Sequence, residues 1–143
     1  MELTNGQYSI STGRIDLAAV HAFLSRSFWA EGIPKDLVAR AAANSVCFSL
    51  FDGQSQVGFA RVVTDRATFA YLCDVYVLES HRGRGLGKWL IETVMDYPDL
   101  QGLRRFLLVT RDAHGLYARH GFAVAAAGRH MEIFRPDLYI DTD

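Results

Sequence analysis

The segment Val75-Tyr76-Val77-Leu78-Glu79-Ser80-His81-Arg82-Gly83-Arg84-Gly85-Leu86-Gly87-Lys88 carries the clearest chemistry in the sequence. A strand-like run leads into three alternating glycines, and these lead into a helix-like run. Alternating glycines permit a turn tight enough for successive N–H groups to converge on an anion. The helix that follows adds its unpaired N-terminal N–H groups and the positive end of its dipole. Arg82, Arg84 and Lys88 bring positive charge to the rim. This is the composition of a pyrophosphate cradle, and the bland alternative is an ordinary tight strand-to-helix connection. Spacing excludes two familiar phosphate loops. A Walker loop needs Gly-x4-Gly-Lys-Ser/Thr, but Trp89 follows Gly87-Lys88, and Arg82 stands five positions before Gly87. The dinucleotide fingerprint needs a glycine three positions after its second. Counting from Gly83-x-Gly85 that position is Lys88, and from Gly85-x-Gly87 it is Leu90.

The spacing that fits is Arg-x-x-Gly-x-Gly, as Arg82-Gly83-Arg84-Gly85-Leu86-Gly87. Here the chain resembles the GCN5-related N-acetyltransferase (GNAT) superfamily, whose signature this is for holding the pyrophosphate of acyl-CoA. A second segment, Leu116-Tyr117-Ala118-Arg119-His120-Gly121-Phe122, looks like the family's Leu-Tyr-x-x-x-Gly-Phe, and it follows the first in the family's order and spacing. The resemblance is clear from Val46 to Phe134 and vaguer over the N-terminal helices. It implies acetyl-CoA as acyl donor, held by Arg82, Gly83, Arg84, Gly85, Leu86, Gly87 and Lys88. It further implies that backbone groups of Val75, Tyr76 and Val77, on a strand splayed from its neighbour, pair with pantetheine. Tyr117 would approach the thioester sulfur and protonate the departing thiolate; the plain alternative is a half-buried core aromatic. The family often carries Asn seven residues before this tyrosine. This chain has Thr110 there, so that contact does not transfer as such.

An acceptor amine must lose a proton before it attacks a thioester, so a general base is needed, reached directly or through a water. Asp74 is the candidate, because it interrupts an apolar run where burial would raise a carboxylate's pKa. Its alternative role is as ion-pair partner of Arg61 or Arg111, or as a cap. Phe28, Trp29 and Glu31, before Pro34, are candidates for the acceptor side, as is Tyr71 on the long strand. Each could equally be core or solvated. Glu79 and His81 read as turn residues. The histidines share no metal-like spacing, so no metal is expected.

These residues need elements to position them. Ile15, Leu17, Ala18, Val20, His21, Phe23 and Leu24 make a helical stripe broken at Gly32-Ile33-Pro34. Pro34 can open a second helix through Lys35 to Ala43, with Asp36 in its first turn. Val46–Phe51 and Gln56–Val63 read as strands of a hairpin joined at Asp52-Gly53-Gln54-Ser55. The apolar run from Ala67 to Leu78 reads as a central strand covered on both faces. A helix follows from about Gly85 and stops before Pro98. Phe106–Val109 is a short strand. Asp112–His120 reads as a helix with Asp112 as N-cap and Gly121 as left-handed stop. Phe122–Ala126 and His130–Phe134 are expected as closing strands.

With 143 residues, half of them hydrophobic, the chain suits one ordered domain over 1–143. The expectation is an α/β fold of the α+β type. It is a GNAT-like mixed, mostly antiparallel sheet of about six to seven strands flanked by about four helices. A net charge of -1 offers no field for nucleic acid or an anionic membrane. No run approaches the ~18 apolar residues of a membrane helix. Met1-Glu2-Leu3-Thr4-Asn5-Gly6 lacks a signal-peptide pattern, and Cys47 and Cys73 sit in apolar runs as reduced thiols, so a cytoplasmic setting is expected. The functional expectation is an N-acyltransferase acting by direct attack on a small-molecule or peptide amine. The alternative is a non-catalytic acyl-CoA-binding or sensing module. Family members are often dimers, which leaves a homodimer open.

Overall fold

The computed structural model describes residues 1–140. Its sheet contains β1 (Glu2–Asn5), β2 (Tyr8–Ser11), β3 (Val46–Asp52), β4 (Ser55–Thr64), β5 (Phe69–Val77) and β6 (Arg105–Leu108), in that spatial order. All neighbours are antiparallel except β5 and β6, which run parallel. Helices α1 (Leu17–Leu24) and α2 (Lys35–Ala43) cover one face, α3 (Leu86–Asp96) covers the other, and α4 (His114–Ala118) follows β6. The α+β expectation with a mixed, mostly antiparallel sheet therefore describes the molecule.

Local sequence explains most of these boundaries. Asp16 caps α1 by accepting from the Ala19 N–H at 3.1 Å. Pro34, extended at ψ 148°, opens α2, and Tyr97 turns extended to end α3 ahead of Pro98. The β3–β4 hairpin turns at Gly53, where φ is 59°.

A bulge in β5 organises the sheet. Phe59 pairs with Tyr76 and Arg61 with Cys73, so Asp74 and Val75 together oppose Ala60, and Asp74 takes φ 55°. One extra residue inverts the side-chain alternation. Before it, Ala70 and Leu72 face α3; after it, Val75 and Val77 do, while Tyr76 joins Val20, Leu24, Val38 and Phe59 under α1 and α2.

Three expectations need correction. The first eleven residues, for which no strand was expected, form the β1–β2 hairpin, turned at Gly6. The helix expected over Asp112–His120 is only His114–Ala118, because Thr110 Oγ1, not Asp112, accepts the Ala113 N–H at 3.0 Å. Phe122–Ala126 and His130–Phe134 form no strand; Val124, Met131, Ile133 and Phe134 stand exposed. Ala123 and Ala125–Ala127 bury too little apolar area to offset the ordering cost of a strand, and Gly128 breaks the run at φ 78°.

Candidate active site

The glycine turn is built by two residues in left-handed conformation, Gly83 at φ 79° and Gly85 at φ 76°, with Gly85 at the N-cap of α3. The N–H groups of Gly83, Arg84, Gly85, Leu86, Gly87 and Lys88 donate to no acceptor among the described residues. The first inward bond is from Trp89 N–H to Gly85 O at 3.0 Å. A row of unclaimed donors at a helix N-terminus is an anion site. The cations on this turn are held, not loose. Arg82 Nε donates to Val77 O at 3.0 Å, Arg84 Nη1 to Tyr8 Oη at 2.9 Å, and Lys88 stands 3.9 Å from Glu92.

The turn itself is tied to the hairpin ends. His81 Nε2 bonds Asp52 Oδ2 at 3.0 Å, its Nδ1 meets Ser80 Oγ at 2.8 Å, and Gln7 Nε2 donates to Asp52 Oδ1 at 3.1 Å. Tyr8 packs edge-on against the His81 ring. Bonding to His81, then to Gln7, holds the Asp52 carboxyl below its ordinary range. Sequence reasoning missed this tether, since no local pattern links positions 52 and 81.

Strand β5 presents open backbone beside the turn. Its pairing with β6 stops at Leu72–Leu108, so Val75, Tyr76 and Val77 have no strand partner on that side among the described residues. Side chains of Val75 and Val77 pack toward α3, and Tyr76 is buried and stacked on Phe23 at 3.8 Å.

At the bulge, Asp74 receives two hydrogen bonds. Trp29 Nε1 donates to Oδ1 at 2.9 Å and Arg61 Nε to Oδ2 at 2.8 Å; Arg61 Nη1 reaches Ser45 Oγ at 3.1 Å. The Arg61 pairing was anticipated and the Trp29 bond was not. The Asp74 side chain keeps 12 % exposure, a narrow opening. A cavity of about 20 Å³, lined by Leu24, Val38, Phe59, Arg61 and Asp74, adjoins it, with room for one water. A larger hollow of about 240 Å³ borders Ala43–Val46, Thr64 and Arg66.

Phe28 and Trp29 meet edge to face at 5.1 Å on the loop after α1, and the Arg111 guanidinium lies 3.7 Å over the Phe28 ring. Glu31 is exposed on the same loop. Tyr71 is half-buried; burial, with neighbouring charges that include Glu132, raises its phenol pKa. Tyr117 packs on Phe122 at 5.9 Å, and burial raises its phenol as well. Its hydroxyl has no hydrogen-bond partner among the described residues. Cys47 and Cys73 flank Arg61 on adjacent strands, and burial pushes their thiols up to about 11 and about 12 against the pull of Arg61. They are therefore thiols, not thiolates, near neutral pH, and poor acyl carriers. No cluster of three or more His, Cys, Asp or Glu that could hold a metal occurs among the described residues, and none of their helices is long and apolar enough to cross a membrane.

Comparison with known proteins bears on this arrangement. The profile of the Acetyltransferase (GNAT) family matches residues 17–122. A candidate acetyltransferase of Gibberella zeae is 34% identical over 142 residues, covering 82% of this chain and 79% of that protein. The crystal structure of a GNAT-family candidate acetyltransferase from Xanthomonas campestris pv. campestris superposes with a TM-score of 0.88. It is 52% identical and covers 92% of this chain and 96% of its own. The ribosomal-protein-S18-alanine N-acetyltransferase of Escherichia coli shares the fold, with TM-score 0.66 and 23% identity over 83% of this chain and 79% of that one.

Proposed function

This chain belongs to the acetyltransferase (GNAT) family, and on that footing we propose that it transfers an acetyl group from acetyl-CoA to a primary amine. The observation that carries the reading is the unclaimed row of N–H groups from Gly83 to Lys88, set at the end of a strand whose own edge is open. A pyrophosphate fits the first, and an extended amide-bearing chain fits the second. Both are parts of CoA. Thr110 Oγ1 accepts from Ala113 N–H, which leaves its hydroxyl proton and one lone pair to offer pantetheine.

In the reaction a C–N bond forms at the thioester carbonyl, the C–S bond breaks, and the sulfur leaves as thiolate. Asp74 is the proposed base: it takes the ammonium proton directly or through one water beside it. Its bonds from Trp29 and Arg61 fix its direction. A free N–H of β5 between Val75 and Val77 would stabilise the oxyanion. Tyr117 would give its proton to the thiolate and recover one through water from the nitrogen, which sheds its second proton as the amide forms; its raised pKa keeps the phenol protonated at neutral pH. Phe28, Trp29, Glu31 and Tyr71 form the proposed acceptor side.

Release of CoA thiol from acetyl-CoA in the presence of primary amines tests the proposal. Asp74→Asn preserves the shape, and Asn tolerates the positive φ. It should lower kcat by about 10²-fold or more while donor binding persists. An unchanged kcat would reduce Asp74 to the ion-pair partner of Arg61.

A further inference from the structure

We infer that the acceptor is a small primary amine carried on an aromatic body, an arylalkylamine, received along Trp29 and Phe28 with its nitrogen at Asp74. The inference rests on the acetyl-transfer reading and names the acceptor class of that same site.

The bond from Trp29 Nε1 to Asp74 Oδ1 pins the indole edge against the carboxylate. A nitrogen brought to that carboxylate therefore carries its carbon chain past the indole. The next surface along the loop is Phe28, 63% exposed beside a Trp29 that is 41% exposed. Phe23 backs Trp29 at 6.2 Å and is itself stacked on Tyr76, so the wall has firm support. Adjacent large aromatics left in water at the mouth of a site mark a binding surface. They favour a partner ring, edge to face or offset, and an ammonium over the indole gains further attraction.

The two guanidiniums beside this mouth each already face a group of the protein. Arg61 gives Nε to Asp74 and Nη1 to Ser45, and Arg111 lies on the Phe28 face. The same fold in the Escherichia coli enzyme serves a protein named for its ribosomal alanine substrate, so the fold does not choose the acceptor; the wall does.

The test is the ratio of kcat/KM for 2-phenylethylamine to that for ethylamine, with Nα-acetyl-lysine methylamide as a peptide-like probe. A ratio of at least about tenfold is expected, the range a filled apolar pocket supplies, carried mostly by KM. Phe28→Ala and Trp29→Ala should each collapse the ratio, whereas Trp29→Phe, which keeps a ring, should retain most of it. Equal efficiency on the two amines, preference for the lysine probe, or no turnover of 2-phenylethylamine would overturn the inference. Thermal stabilisation by acetyl-CoA, measured in parallel, separates the two levels. With stabilisation present, such a result defeats the acceptor class alone; with it absent, the transfer reading falls too.

Discussion

Gly87 is a glycine the protein itself does not require. It sits inside the first turn of α3 with no left-handed φ, and an added Cβ would meet only Val77 Cγ2 at an ordinary 3.8 Å. A helix prefers alanine there by up to about 1 kcal/mol. The bare backbone makes sense if a ligand approaches it. Gly87→Ala should therefore raise the melting temperature of the free protein and weaken acetyl-CoA binding, a sign reversal visible in one titration. Gly83 and Gly85 differ, since their positive φ is a conformational need and substitution there strains the turn. Tyr117 makes a separate prediction. Its hydroxyl has no hydrogen-bond partner among the described residues, so Tyr117→Phe should leave stability within about 0.5 kcal/mol and lower kcat roughly 10²-fold. Because burial raises the phenol pKa, the acid form persists through the ordinary tyrosine range. The wild-type alkaline limb of kcat should then lie above about pH 10, and steady-state rates of both proteins from pH 7 to 10.5 check this.

The elements that hold the site meet at two places, the β5 bulge and the tether between the glycine turn and the hairpin ends. The tether predicts that His81→Ala raises the acetyl-CoA Kd several-fold, through the loss of the bond that ties the turn to Asp52, with kcat at saturating donor unchanged. Asp52 has a lowered folded pKa. Its contribution is thus complete above the ordinary carboxylate range and is lost as pH falls through the lowered value, so donor affinity should hold across neutral pH and decline only in acid. Calorimetric titration from pH 8 down to below the ordinary carboxylate range measures both effects. The glycine turn, the Pro34 helix start, the Gly53 hairpin and the Gly121 stop were legible in the sequence because each is set by one short stretch. The bulge was not, because it arises from a register mismatch between β4 and β5 that neither strand carries alone. Its consequence, Tyr71 and Tyr76 on one face despite an odd separation, was equally hidden. The Trp29–Asp74 and Asp52–His81 bonds span 45 and 29 positions, and no periodicity reports them. The β1–β2 hairpin left only Asn5-Gly6 as its signal, since β1 is exposed along its length.

Across the whole molecule, one sheet separates two apolar layers. The larger layer joins α3 to Phe48, Leu50, Val62 and Leu72, and reaches Tyr117 at its margin. The smaller joins α1 and α2 to Phe59 and Tyr76. The candidate site lies where the pairing of β5 with β6 stops, so both layers contribute to it. Phe48 is fully buried and packs edge-on to Tyr97 at 5.2 Å. Phe48→Ala should cost about 3–5 kcal/mol, read by urea unfolding, a large part of a typical domain's stability.

The central claim is that the glycine turn and the open edge of β5 hold acetyl-CoA, and the direct measurement is the melting temperature with acetyl-CoA, CoA, ATP and NAD added separately at saturation. Ligand at about 100 times its Kd adds roughly 2.7 kcal/mol, a rise on the order of 10 °C for a chain of this size. The account predicts that rise for acetyl-CoA and CoA alone, abolished when Gly85 and Gly87 are both replaced by valine. A rise with ATP or NAD and none with CoA would contradict it, because the cradle would then serve a different phosphate.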